Sequence, residues 1–523
     1  MTSPPLPALP DQGLADEVIL GTLAALRQLD VPIRGGRTTS YVYDPDRDDL
    51  DDLSLRAFAL SEHVNGLDPT AFPSFAAVEN DLVAAALSVL GSGDPAEVGT
   101  MTSGGTESCA LAVLGARERW RARVGEPHGR PTLVAPSSVH PAFVKACHLF
   151  DVELVTVPID PVTFAADVDA MVAAMGERTA LVVVSAPAYA HGVIDPIEPI
   201  AAAAAERDIP CHVDACIGGW TVPFIREAEG LPPIGLMIPG VTSVSVDLHK
   251  YAYTPKGVSI LLHRDFGLRR WHWFATAAWN GYPVVNPTLL SSRGGGAPAI
   301  AWAYLHKIGR DGYRELALSA WRATRALIEG IAGIPGIHVV GETGSTLLAF
   351  TDDGGPDDPD IRVVADEMAV RGWLLGVQPG HGGPPTAHIC LMPVHEKQTE
   401  VLLADLAASV EAARGLGRVE VDPGLLALAA SLDPSSLPPG AMDLVLAAAG
   451  VSLGGDPAGG SGQGIPDRRA ILNAIMDLAP EPLVEWLLIE VLGTVLLPSP
   501  QPAPEAAPAG PAPGAAAPAG PDL

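Results

Sequence analysis

The pair with the most chemical potential is His249–Lys250, inside SVSVDLHKYAYTPKG (Ser243–Gly257). It follows a short apolar run rich in β-branched residues, so the amine sits where a buried strand reaches the rim of a sheet. Desolvation there weakens a lysine's preference for the charged form, and the neutral amine is what condenses with an aldehyde. Upstream, CHVDACIGG sets Asp214 at the end of another apolar run, where a buried carboxylate can keep a ring nitrogen protonated. Earlier still, GTMTSGGTES (Gly99–Ser108) runs into a helical segment. Small residues with free amides at a helix start cradle anions, and here Gly104 and Gly105 are flanked by the hydroxyls of Ser103 and Thr106. His140, in SSVHPAF, opens a further helix after TLVAP, where a flat imidazole can stack on an aromatic ring and handle protons near neutral pH.

Each segment alone has a plainer reading. The lysine could be a surface residue, Asp214 a helix N-cap, the glycines a turn with a capping-box start, and His140 a structural histidine. Together they match what pyridoxal 5'-phosphate (PLP) requires: an amine for its aldehyde, a carboxylate for its pyridine nitrogen, a phosphate cradle and a stacking partner. The expectation is a PLP enzyme that carries its cofactor covalently on Lys250.

These residues need a scaffold that brings strand ends together. Candidate strands are Thr132–Pro136, Glu153–Val157, Ala180–Pro187, Cys211–Ala215, Ser243–Asp247 and Val258–His263, with helical segments such as PAFVKACHLF and PIEPIAAAAAERD between them. That alternation predicts an α/β fold with a mostly parallel sheet covered by helices, and near-continuous apolar strands fit burial on both faces. Residues 1–60 read as an N-terminal arm, 61–310 as the large domain and 311–415 as a smaller α/β domain with strands near HVVGE, TLLAF and HICLM. Residues 416–497 read as a helical extension of unknown role, interrupted by GGDPAGGSGQG, and the Pro/Ala/Gly-rich stretch 498–523 as a disordered tail.

In order and spacing these motifs resemble the group II PLP-dependent decarboxylases of fold type I, and within them the sphingosine-1-phosphate lyase branch. The resemblance is carried by GTMTSGGTES, SSVHPAF, SAPAYAHGVIDPIEPI, HVDACIGG, VTSVSVDLHKYAYTPKG, NGLDPTAFPSFAAVE (Asn65–Glu79) and SSRGGG (Ser291–Gly296), over about residues 30–415. It implies a seven-stranded large domain and a lyase acting at the α-carbon of an amino substrate. The alternatives on the same fold are amino-acid decarboxylation, transamination and a scaffold without catalysis. It also implies that Lys250 bears the cofactor, Asp214 faces the pyridine nitrogen and His140 stacks on the ring. Ser103, Gly104, Gly105, Thr106 and His249 would surround the phosphate. Asn65 and Tyr43 match positions near the substrate, and the family's homodimers, with active sites at the subunit interface, place Ser292 and Arg293 toward the partner's site. The lyases read Asn-Pro-Leu-His where this chain has Asn65, Gly66, Leu67 and Asp68, so an acid stands where a phosphate-bearing substrate would meet a histidine. Substrate choice is expected in the Asn65–Phe72 loop, Tyr43 and the segment His381–Thr386.

The bulk properties narrow the partners. A formal charge of −29 opposes binding to nucleic acid or anionic lipid. The first residues show no basic start followed by an apolar core, and the apolar stretch Pro482–Leu497 is short and interrupted by Glu485 and Glu490. A cytoplasmic protein with no membrane span is expected, that stretch being a packed amphipathic helix. Five scattered cysteines (Cys109, Cys147, Cys211, Cys216, Cys390) lack the paired spacing of a metal or redox site and read as ordinary buried thiols.

Overall fold

In the computed structural model the described residues are 9–125, 129–380, 383–433, 436–437 and 468–496. The GGDPAGGSGQG loop, the tail from residue 498 and residues 381–382 of the expected substrate segment lie outside them.

Seven strands form the large sheet: β1 (Val98–Thr102), β2 (Thr132–Pro136), β3 (Glu153–Val157), β4 (Thr179–Ser185), β5 (Cys211–Asp214), β6 (Val241–Asp247) and β7 (Ser259–His263). Their order is β1-β7-β6-β5-β4-β2-β3, with β7 antiparallel to both neighbours and every other pairing parallel. β2, β4 and β5 are buried along their whole length, as the unbroken apolar runs require of a sheet covered on both faces. The strand missing from the sequence reading is β1. The first half of GTMTSGGTES is not loop: Gly99–Thr102 pairs with Ser259–Leu262 of β7. Its small and polar residues hide the strand pattern, and the ladder partner that makes it a strand is more than 150 residues away.

A hairpin of β8 (Phe274–Thr276) and β9 (Val284–Asn286) follows, then an antiparallel sheet β10-β11-β13-β12. Three of its strands, Ile337–Val339 (β10), Leu347–Asp352 (β11) and Thr386–Cys390 (β13), match expectation, while Gly376–Gln378 (β12) does not. The helix Gly296–Ile331 leads from one sheet to the other and breaks at Gly309, whose φ of 67° lies in the left-handed region open to glycine. The break falls at the domain boundary expected at residue 310, yet residues 32–423 cluster as one compact unit together with 467–478. The helix Ala470–Leu478 therefore belongs to the body and not to the extension: Asp366 caps it through the amides of Arg469 and Ala470, and Arg362 pairs with Asp477 at 2.5 Å. The second unit comprises residues 1–31, 424–466 and 479–523. A helix does form there as expected, Glu481–Val495, with Leu483 buried and Leu488, Ile489 and Leu492 exposed.

Among the described residues one helix, Pro73–Leu90, is long and apolar enough to cross a membrane by length and composition. Here it packs on β1 and β7, with Phe75, Leu82, Ala86, Val89 and Leu90 buried in the core.

Candidate active site

The parallel strands all point their carboxyl ends at one edge of the sheet, where open α/β folds bind ligands. A cavity of about 410 Å³ lies there. β1 delivers Ser103 and Gly104, β2 leads to His140, β4 ends at Ser185, β5 at Asp214, and β6 runs into His249 and Lys250. All eight residues expected around the cofactor (Ser103, Gly104, Gly105, Thr106, His140, Asp214, His249, Lys250) line this one cavity.

The glycine-rich turn opens the helix Gly105–Val124, whose Gly105 and Thr106 amides have no partner within the helix, while that of Glu107 donates to the Gly104 carbonyl at 3.0 Å. Gly105 tolerates no side chain: a Cβ there would come within 2.6 Å of Asp247 Oδ2 and 3.0 Å of Cys216 Sγ. Thr102 Oγ1, Ser108 Oγ and Ser259 Oγ form a buried chain at 2.7 and 2.8 Å that fixes this turn to β7. His140 caps the helix Pro141–Phe150, its Nδ1 accepting the Ala142 amide at 3.2 Å, so its proton resides on Nε2. Burial holds the imidazole below its ordinary pKa, hence neutral. Asp214 Oδ1 accepts from the Cys216 amide at 3.1 Å and from Ser245 Oγ at 3.3 Å, which locks the carboxylate and leaves Oδ2 without a protein partner among the described residues.

Lys250 departs from expectation. Burial is the largest single influence and presses its pKa down, but the carboxylate of Asp247, 3.0 Å from Nζ, together with Cys216 and Asp214 raises it above the ordinary lysine value. Asp247 was missed because its neighbours in sequence supply no signal; only the turn after β6 folds it back onto Lys250. Glu107 was missed likewise: buried at the cavity wall, it accepts the Ser103 amide and, from far along the chain, that of Leu289. The cysteines, scattered in sequence, are all buried, and Cys109 and Cys216 meet Asp214 with ligand atoms within 4.8 Å of one another.

The expected substrate residues fall elsewhere. Tyr43 lies in an adjoining cavity of about 250 Å³ that shares His249 with the first, and Lys256 places its ammonium 4.9 Å over the Tyr43 ring. Asn65 and Arg293 adjoin one another, Asn65 Oδ1 accepting the Arg293 amide at 3.3 Å. Neither lines the cofactor cavity: the Arg293 guanidinium is held by Glu79 at 2.9 Å and by the Met101 carbonyl at 3.1 Å. Ser292 is exposed. Asp68 is exposed too, its carboxylate accepting from the Thr70 amide and hydroxyl, and it does not line this subunit's cofactor cavity.

These residues suit PLP on their own chemistry, with a locked buried carboxylate, a neutral imidazole, a primary amine and unpaired helix amides around a cavity that a single Cβ would obstruct. Comparison with known proteins agrees. The family model for the pyridoxal-dependent decarboxylase conserved domain matches residues 49–351, and that for the C-terminal HTH domain of pyridoxal-dependent enzymes matches 423–494, giving the extension a counterpart the sequence reading had not placed. The sphingosine-1-phosphate lyase of Dictyostelium discoideum is 34% identical over 405 residues, 77% of this chain and 74% of that protein. The rice enzyme of that name is 36% identical over 409 residues, with the same coverage. Among solved structures, the sphingosine-1-phosphate lyase of Burkholderia pseudomallei aligns with a TM-score of 0.73 at 35% identity, covering 79% of this chain and 94% of that one. A Lactobacillus brevis glutamate decarboxylase aligns with a TM-score of 0.69 at 18% identity, covering 80% and 97%, and shows the shared fold. The chain belongs to the pyridoxal-dependent decarboxylase family, among the relatives of the sphingosine-1-phosphate lyases, and is a PLP-dependent lyase.

Proposed function

We propose that the substrate is a phosphorylated long-chain 2-amino alcohol, cleaved between the amine-bearing and hydroxyl-bearing carbons to a long-chain aldehyde and phosphoethanolamine. The observation that carries this is the identity of about one third with sphingosine-1-phosphate lyases over three quarters of the chain. When bound, PLP supplies an electron sink conjugated with the substrate's α-carbon. The chain's own groups do the rest. Lys250 would hold the cofactor through its amine. Asp214, fixed by Cys216 and Ser245, presents a carboxylate to a protonated ring nitrogen, and the neutral His140 offers a flat face and an Nε2–H. Ser103, Gly104, Gly105, Thr106 and His249 hold the cofactor phosphate. Lys256 lies within ion-pair distance of no carboxylate among the described residues, and so offers a charge to a substrate phosphate entering past Tyr43.

The same reading has the enzyme working as a cytosolic homodimer. Support for the dimer comes from the run Phe274–Leu290, where Phe274, Trp279, Tyr282, Val285, Leu289 and Leu290 are exposed, an apolar concentration of the kind found at interfaces. Incubating the purified protein with a phosphorylated sphingoid base and, separately, with a panel of amino acids tests the substrate. Aldehyde and phosphoethanolamine in equal amounts support the reading. CO2 from an amino acid, with no aldehyde from the phosphorylated base, replaces it with amino-acid decarboxylation.

A further inference from the structure

Half-buried Lys250 and buried Asp247 form an ion pair in the cavity, and for a cofactor-bearing lysine that pair is an obstacle: an ammonium has no lone pair with which to attack an aldehyde. Among the described residues Oδ1 of Asp247 has no hydrogen-bond partner, so its charge is met through Oδ2. That same Oδ2 lies 3.5 Å from His249 Nε2. The other ring nitrogen, Nδ1, is 3.0 Å from the Val258 carbonyl, which can only accept, so Nδ1 carries the proton and Nε2 turns a lone pair toward the carboxylate. One carboxylate oxygen stands between a proton donor and an empty proton acceptor.

We propose that Asp247 is a positioning residue that holds unattached Lys250 as an ammonium and, on cofactor arrival, relays one proton from Nζ to His249 Nε2. The step balances: one N–H bond of Lys250 breaks, one forms at Nε2, and the imidazolium replaces the ammonium as counter-ion of Asp247. The neutral amine then attacks the aldehyde carbon, and its two remaining protons leave with the carbonyl oxygen as water. The inference rests on the reading of Lys250 as the cofactor-bearing residue.

The surrounding groups offer no competing relay. From β5 and the facing helix come Asp214, Cys216 and Cys109. Asp214 has Oδ1 engaged by Cys216 and Ser245 and its Oδ2 assigned to the cofactor ring nitrogen, and mutual contact and burial raise the Cys216 thiol. Cys109 is pulled down by Cys216, yet burial leaves it raised. On the other walls are His140, Tyr189, Cys390, Tyr43 and Lys256. Burial lifts the tyrosines and pushes Cys390 up to about 12, His140 has its Nδ1 occupied by the Ala142 amide, and Lys256 is a cation. His249 is held below its ordinary pKa by burial against the pull of Asp247, so it rests neutral with Nε2 unprotonated.

The test follows cofactor capture by the full-length chain, stripped of PLP and reloaded across a pH series, through the growth of the yellow absorbance of covalently bound cofactor. Asp247→Asn should move the pH midpoint of the capture rate down by about one unit, making capture about tenfold faster on the acid side. His249→Gln should move it the opposite way, slowing capture at neutral pH by about tenfold. A role confined to structure changes the amount of cofactor bound but not the midpoint, and one midpoint for all three proteins overturns the proposal. Wild type that never turns yellow would instead sink the cofactor reading itself. Should Asp247→Asn not fold, carbamylation of Lys250 by cyanate in the stripped wild type, read by peptide mass spectrometry, decides: a midpoint at or below that of a free lysine amine overturns the ion-pair role.

Discussion

Glu107 Oε1 accepts the amide of Leu289 at 2.7 Å, while its Oε2 accepts the amide of Ser103, also at 2.7 Å. A single buried side chain thus ties the phosphate turn to the apolar segment that we assign to the dimer interface. Glu107→Ala leaves two amides without acceptors, at a cost of about 1–3 kcal/mol each where they stay dry. We expect PLP to bind at least about tenfold more weakly, measured by equilibrium titration of the cofactor absorbance, with Glu107→Gln intermediate because its amide oxygen satisfies one donor. Unchanged affinity in both variants would show that the turn holds its shape unaided.

Lys250→Ala should abolish turnover and the yellow absorbance while the far-ultraviolet circular dichroism stays that of the wild type. The lysine's part is covalent chemistry, and the strand preceding it is held by its neighbours in the sheet. Stability should fall somewhat, because buried Asp247 loses the ammonium 3.0 Å away. Residual turnover near the wild-type level would remove Lys250 from the mechanism.

Buried histidines should make the fold sensitive to acid. Burial lowers His212, held between Ser243 and Ser245, and His388, between Ser40 and Gln378, to about 4. In the unfolded chain both return to about 6.5. Between these values the unfolded state binds more protons, so stability falls as pH drops from about 6.5 toward 4. Urea midpoints measured across that range should decline, and His212→Asn, which keeps hydrogen-bonding capacity, should flatten the decline. An equally steep profile in the variant would place the acid sensitivity elsewhere.

At the C-terminal side, shortening the chain should hurt only when it reaches the helix Ala470–Leu478. Asp477 pairs with Arg362, itself nearly buried, and Asp366 caps the helix. Ending the chain after residue 478 should preserve the melting temperature of the body, whereas Asp477→Ala should cost about 1–3 kcal/mol by leaving Arg362 with Asp360 alone. Calorimetry that finds the two changes equivalent would contradict the assignment of this helix to the body.

Much of the architecture was legible in the sequence because it is locally encoded. The strand at 132–136 falls where its apolar run begins and ends, since a strand buried on both faces needs unbroken apolar residues, and the strand at 153–157, at the edge of the sheet and only partly buried, is marked by its β-branched residues. Helix starts at Gly105 and Pro141 followed from small residues and proline, and with them the positions of Ser103, Thr106 and His140. Lys250 and Asp214 could be named because a residue at the end of a buried parallel strand has one place to go, the carboxyl edge of the sheet. Tertiary structure decided what depends on partners remote along the chain. β1 is a strand only because β7 lies beside it, and Glu107 matters only because Leu289 is brought to it. The helix Ala470–Leu478 joins the body through Asp366 and Arg362. The charge of Lys250 was read with the wrong sign because burial and an opposing charge act against each other. Residue type reveals the burial, but only the fold sets Asp247 3.0 Å from the amine and brings Asp214 and Cys216 into the same cavity, and together these groups outweigh burial.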